Sequence, residues 1–287
     1  MRPHDKLTAD APPTREHAWR GFAEQLRSWS WLISLAGLLV LLEAAIAYFQ
    51  VPPYVLPAPS DIARSLWRGF TAGLSAPNGY YIHIWTTFVE AFSSFVVGSG
   101  LGIMIGALIQ HFPRSKQFIL PYAIGLQSVP KIALAPLLIV WFGFGISSKI
   151  ALGILLTFFP LMINTLAGLS SVERERIELM QSLRASQWKT FRLVQLPSAM
   201  PFIFAGLEMA AAYSVLGAVV GEFVGGQTGL GVLILNRNAS LDISGALAAL
   251  VILAVLGVGL RHAVVALRRR LLFWSPSAEM LAKSEGG

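Results

Sequence analysis

Apolar residues in this chain come in runs too long for the core of a soluble domain. From Trp31 to Phe49 the only charged residue is Glu43. A helix rises about 1.5 Å per residue, so about 20 such residues match the roughly 30 Å hydrocarbon core of a bilayer. The run predicts a first spanning helix. Further apolar segments predict spans at about Thr86 to Ile109, Gln117 to Val129, Lys149 to Gly168, Met200 to Val220 and Leu247 to Leu267. The stretches between them are broken by proline and glycine or are charged. Val51 to Gly79 and Pro130 to Ser148 belong to the first kind, Ser171 to Gln195 to the second.

Ahead of the first span, residues 1–18 are polar and read as a disordered tail. Trp19, Phe22, Leu26 and Trp29 then recur at helical spacing. Such a face fits a helix lying in the membrane interface, or a short helix leading into the first span. Ala45-Ile46-Ala47 resembles a cleavage site. However, the leader is long and contains acids, and the apolar run exceeds a signal core, so an uncleaved anchor is expected. The expected organisation is a tail over 1–29, a membrane domain over 30–274 and a second tail over 275–287.

Composition agrees with lipid as the solvent. The 287 residues are 55% hydrophobic and 13% charged, where a soluble domain carries about 25% charged residues. There is no cysteine, which excludes a disulfide framework and a thiolate site. The net charge of +7 is dispersed among apolar segments, so no nucleic-acid partner is inferred. Its distribution is the more useful signal. With six spans both ends share one side, and that side collects 17 of the 22 Lys and Arg residues. Excess Lys and Arg mark the cytoplasmic side, so both termini are expected in the cytoplasm.

Candidate chemistry is sparse. Gly98, Gly102 and Gly106 form one helical stripe, suited to a close helix contact within the chain or to a seam between two copies. Gln127, Ser128 and Lys131 flank Pro130, with Pro136, Gly143 and Gly145 beyond. Irregular backbone at membrane depth occurs inside protein or beside a water-filled cavity, so this is either a broken segment along a pathway or a loop outside the bilayer. Glu43, Glu90, Glu208 and Glu222 are acids in or near spans. Glu208 lies near a span centre, while Glu43 and Glu222 lie nearer span ends, where interfacial water accounts for them. Gln127, Ser128, Lys131, Glu208 and Tyr213 are the candidate pathway residues. No phosphate-cradling loop, serine-hydrolase elbow or zinc-protease motif occurs, and no catalytic or metal constellation can be assembled. An ion-coupled secondary transporter using Glu208 or Glu90 remains open at this point.

The charged block is the most informative segment. It begins Glu178-Leu179-Met180-Gln181-Ser182-Leu183-Arg184-Ala185-Ser186-Gln187-Trp188 and ends Val194-Gln195-Leu196-Pro197. Its spacing resembles the loop of ATP-binding-cassette importer permeases: Glu-Ala-Ala, three residues, Gly, nine residues, Ile-x-Leu-Pro. Glu178, Val194, Leu196 and Pro197 match, Leu179 and Met180 replace the two alanines, and Arg184 replaces the glycine. Further runs are similar to the nitrate, sulfonate and taurine branch, which also includes permeases for pyrimidine-type vitamin precursors. Among them are Leu56-Pro57-Ala58-Pro59-Ser60, Trp141-Phe142-Gly143-Phe144-Gly145 and Gly229-Leu230-Gly231.

The resemblance implies an all-α membrane protein of about six transmembrane helices in a bacterial inner membrane. It would be one half of a homodimeric permease that imports a small polar solute. The loop between spans four and five would be the coupling helix, with Glu178, Leu179, Met180, Leu183, Arg184, Ala185, Ser186 and Trp188 meeting an ATPase subunit. Two ATPase subunits would bind ATP and Mg, so this chain would hold no cofactor of its own. An extracytoplasmic binding protein would deliver the solute. The departure at Arg184 leaves the turn geometry and the tightness of coupling open, since glycine accepts positive φ most cheaply.

Overall fold

Three helices make the centre of the molecule, and glycine lets them meet. In this computed structural model, described for residues 15–73 and 79–272 without the side chains of 15–31, 113–117 and 124, all regular structure is helical. Helix α1 spans Arg15–Phe49, α2 Pro59–Thr71, α3 Tyr81–His111 and α4 Pro113–Ser128. A 3₁₀ turn over Lys131–Leu134 leads into α5, Ala135–Phe142, and α6 follows over Ile146–Ser170. Two short helices, α7 (Arg174–Ser182) and α8 (Gln187–Thr190), then reach a π-helical stretch, Phe191–Gln195. The chain ends in α9 (Leu196–Gly225), α10 (Leu230–Ala239) and α11 (Ile243–Leu271). The expected tail as far as residue 14, the side chains of Trp19, Phe22, Leu26 and Trp29, and the tail from 275 lie outside the described residues.

The glycine stripe of α3 lies against α6. A methyl at Gly98 would meet Thr157 and Ile154, one at Gly102 would meet Phe158 and Leu161, and one at Gly106 would meet Met162 and Thr165. The stripe is therefore a contact within the chain, and the matching order makes α3 and α6 parallel. On its other side α6 runs antiparallel to α9, with Gly217 against Gly153 and Gly168 against Ala199. Dispersion gains at such short separation replace the hydrophobic push that lipid does not supply.

Five helices are long and apolar enough to cross a bilayer, those ending in Phe49, His111, Ser170, Gly225 and Leu271. A bent pair, Phe118–Ser128 with Lys131–Phe142, turned by 81°, is apolar enough only when its two arms are taken together, as a broken span or a re-entrant loop. The expected third span covers only the first arm of that pair. Pro130 cannot donate a backbone hydrogen bond, and Gly143 at φ +80 turns the chain into α6. Segment Pro130 to Ser148 is mostly helical, and Ala135 and Leu138 pack on Leu152 of α6.

Two further helices lie outside the predicted spans. Helix α2 starts with Pro59 and an Asp61 side chain that accepts from the Ala58 N–H at 3.2 Å. Its Ile62 and Leu66 cover a core of Tyr80, Leu230, Leu233, Ala248 and Ile252. Helix α10 supplies Leu230 and Leu233 to the same core. Both are too short to span, so span-length hydropathy does not see them. Helix α1 meets the bundle through α2, where the Glu43 carboxylate accepts from the Ser60 N–H at 3.1 Å and the Ser60 hydroxyl at 2.7 Å. Helices α6, α3 and α11 all end toward α7 and α8. We call that end of the bundle the loop end, and the other the opposite end.

Candidate functional site

At the loop end, α7 and α8 form a corner built almost entirely from local hydrogen bonds. The Ala185 N–H donates to Met180 O at 2.9 Å and the Arg184 N–H to Gln181 O at 2.9 Å. This six-to-one and five-to-two pair closes a helix as a Schellman turn, whose left-handed residue is usually glycine. Here Arg184 takes that place at φ +52. The turn geometry is kept without glycine, because its side chain points into open space. Ser186 then caps α8 by accepting from the Lys189 N–H at 3.3 Å. Arg174 pairs with Glu178 at 2.8 Å, and Arg176 with Glu173 at 2.8 Å.

Apolar side chains on this corner face outward. Leu179, Leu183 and Trp188 are 60%, 69% and 67% exposed. Met180 and Ala185 are half-buried, and no residue of α7 is buried. The corner is anchored through Phe191 and Leu196, which pack on Leu161, Leu169, Ala199 and Ile203. Trp188 stacks on Phe191 with ring centroids 5.7 Å apart. Between this corner and α3 lies a cavity of about 710 Å³, lined by Met104, Leu108 and His111 opposite Ser186, Trp188 and Phe191.

The five candidate pathway residues do not form one group. Gln127, Ser128 and Lys131 sit together at the break between α4 and α5, where Lys131 Nζ donates to Gln127 O at 2.8 Å. The same ammonium stands 5.1 Å over the Phe159 ring of α6. Glu208 lies apart, facing α11, with Arg268 at 3.1 Å and Arg261 at 3.4 Å. Its charge is met by these two arginines of the loop end. Tyr213 is half-buried further along α9.

The opposite end holds a polar cluster that sequence reading only partly found. Lys149 Nζ of α6 lies 3.0 Å from Glu90 of α3, and both side chains are at most 5% exposed. Lys149 was expected as a charge at a span entrance; it is buried instead. Glu222 was expected near interfacial water but is 1% exposed. Its Oε1 accepts from the Thr87 hydroxyl at 2.6 Å and its Oε2 from the Gly231 N–H. The Leu230 N–H donates to the Thr87 oxygen at 2.8 Å, and His83 Nδ1 meets the Gly229 backbone at 2.9 Å. Spans carrying one acid each are visible in sequence. The pairing of residues 59 and 135 positions apart is not.

Known proteins share this architecture. The riboflavin transport system permease protein of Chloroflexus aurantiacus is 33% identical over 85% of this chain and 90% of its own length. The formylaminopyrimidine transport permease protein of Halalkalibacterium halodurans is 34% identical over 77% of this chain and 86% of its own. The taurine transport system permease protein of Escherichia coli is 28% identical over 86% of this chain and 93% of its own. A solved chain of the MetNI methionine ABC transporter, in inward-facing conformations, shares the fold with a TM-score of 0.52 at 20% identity, covering 75% of this chain and 98% of that one. Residues 98–273 match the model of the binding-protein-dependent transport system inner membrane component. The chain belongs to that family, and is the permease subunit of an ATP-binding-cassette importer, a membrane component without catalysis of its own.

Proposed function

We propose that two copies of this chain form the pathway of an importer in a bacterial inner membrane, with the α7–α8 corner as the docking point for an ATPase subunit on each copy. The observation that carries this reading is the exposure of Leu179, Leu183 and Trp188 on a corner that is otherwise closed by its own hydrogen bonds. An apolar face held rigid and left open suits a partner better than water. Glu178, Met180, Arg184, Ala185 and Ser186 complete the docking surface around it.

In this reading the loop end faces the cytoplasm, and so do both termini. The basic residues collected on that side support the orientation. ATP and Mg belong to the ATPase subunits. Closure of the ATPases on ATP would pull the two corners together and bias the bundle between two arrangements, one open to each side. The break at Gln127, Ser128 and Lys131, with Tyr213 and Glu208 on α9, is the candidate lining of the pathway. An extracytoplasmic binding protein would present the solute at the opposite end. The relatives' solutes, a flavin, a formylaminopyrimidine and taurine, support a small polar solute of the vitamin-precursor or sulfonate class.

Co-purification tests the assignment. The tagged chain, extracted in mild detergent, is expected to bring a stoichiometric ATPase identified by mass spectrometry, and to lose it on Glu178→Arg or Leu183→Asp. A chain that transports in vesicles without any ATPase would overturn the reading.

A further inference from the structure

The buried cluster at the opposite end has a charge imbalance. Two carboxyls, Glu90 and Glu222, face one ammonium, Lys149, with side chains or residues at most 5% exposed. A net charge left at this depth in a membrane bundle is very costly, so something must balance it. Hydrogen-bond direction says where. The Thr87 oxygen accepts from the Leu230 N–H and has one hydrogen of its own, which goes to Glu222 Oε1 at 2.6 Å. Glu222 Oε2 accepts from the Gly231 N–H. Both Glu222 oxygens are therefore acceptors in short bonds, the mark of an ionised carboxylate. Glu90 differs. Neither of its oxygens accepts a well-directed hydrogen bond: Lys149 stands 3.0 Å away, and the Glu222 carboxylate lies beside it as the acceptor for its proton.

We infer that Glu90 is a buried proton-binding site, held as a neutral acid between Lys149 and Glu222, and that this neutral unit latches the α9–α10 turn onto α3 and α6. Its charged members come from three different helices. Glu90, Thr87 and His83 come from α3, Lys149 from α6 and Glu222 from α9. Helix α10 contributes only the N–H groups of Leu230 and Gly231 next to its start, while its Arg237 pairs with Asp242. Among the described residues, these are the titratable and charged groups that face the site. Thr86 adds a 3.5 Å contact to Thr228 in the same turn. The latch is built at the end of the bundle away from the α7–α8 corner. Glu90 and Lys149 act as positioning residues for that turn, whatever solute the pathway carries.

Infrared spectroscopy of the full-length chain in lipid vesicles reads the proton directly. The native protein is expected to show the C=O band of a protonated, buried carboxylic acid. That band should vanish in Glu90→Gln and persist in Glu208→Gln. It should also be lost in Glu222→Gln, where Lys149 faces Glu90 alone and the acid ionises to balance it, but persist unshifted in Glu222→Asp. Glu90→Gln mimics the neutral acid, so its melting temperature should stay within about 2 °C of native, whereas Lys149→Met, which strands the Glu222 charge, should lose about 10 °C. Should Glu90→Gln fail to assemble, Glu90→Asp keeps the acid and should shift the band. Absence of the band from the native protein, its persistence in Glu90→Gln, or a shift in Glu222→Asp with none in Glu90→Asp would overturn the assignment. A melting temperature that rises with sodium chloride but not with choline chloride would also overturn it, because a bound cation would then balance the charge.

Discussion

Two residues with positive φ, one at each end of the bundle, show how differently the ends are made. Gly229 adopts φ +128 where the chain turns from α9 into α10, and a methyl there would strike the Glu222 carboxylate. Arg184 adopts φ +52 between α7 and α8, with its side chain exposed. Gly229 is buried, and its turn is held by bonds from α3 and α9. The second is held by its own backbone and borders open, apolar side chains. The Gly229 turn is completed by this chain alone, and the α7–α8 corner is left for something else to complete. The difference teaches that glycine is required where a side chain has nowhere to go, and is only preferred where it has.

Three substitutions test that contrast. Gly229→Val should do most harm. It adds a β-branched side chain at a backbone angle such residues avoid and drives it into Glu222, for a loss of about 3 kcal/mol or more. Thermal unfolding of the purified chain measures it, and a loss under about 1 kcal/mol would break the comparison. Arg184→Gly should act in the other direction, gaining about 0.5–1 kcal/mol by relieving the left-handed conformation. Leu183→Asp should have the smallest effect on stability, within about 0.5 kcal/mol, because its side chain is 69% exposed and adds no buried contact. The same variant should nevertheless lose the ATPase in pull-down. A large drop in its stability would mean that the corner packs on its own bundle.

Much of the membrane architecture was legible because lipid imposes a simple rule on sequence. The apolar runs that became α3, α6, α9 and α11 were each found within a few residues at one end or both. Their ends moved outward because a helix continues past the apolar stretch into charged surroundings. The α7–α8 corner was legible through spacing. Its Glu178 and Leu196-Pro197 stand where the pattern requires them, and Pro197 lies in the first turn of α9. The glycine stripe was legible as a packing face, but its partner was not, since nothing local says which helix lies opposite.

What stayed hidden depends on long-range company. Helix α2 had its signals in sequence, Pro59, Asp61 and the apolar pair Ile62 and Leu66, yet it is too short to cross a bilayer and only Tyr80 and α11 make it useful. The two arginines beside Glu208, Arg261 and Arg268, could not be read from its place in a span. Lys149 looked like a charge at a span entrance until Glu90 was found 3.0 Å away.

By itself the sequence determined that this chain lives in a membrane, roughly where it crosses, and that it carries a permease-type corner. Those properties follow from transfer of each segment from water to lipid and from residue spacing, both of which are local. Only the tertiary structure decided which acids are paired, which turn can do without glycine and which face remains open. Each of these depends on the distance between side chains far apart in the chain, and an ion pair, a steric clash or an exposed surface exists only once that distance is set.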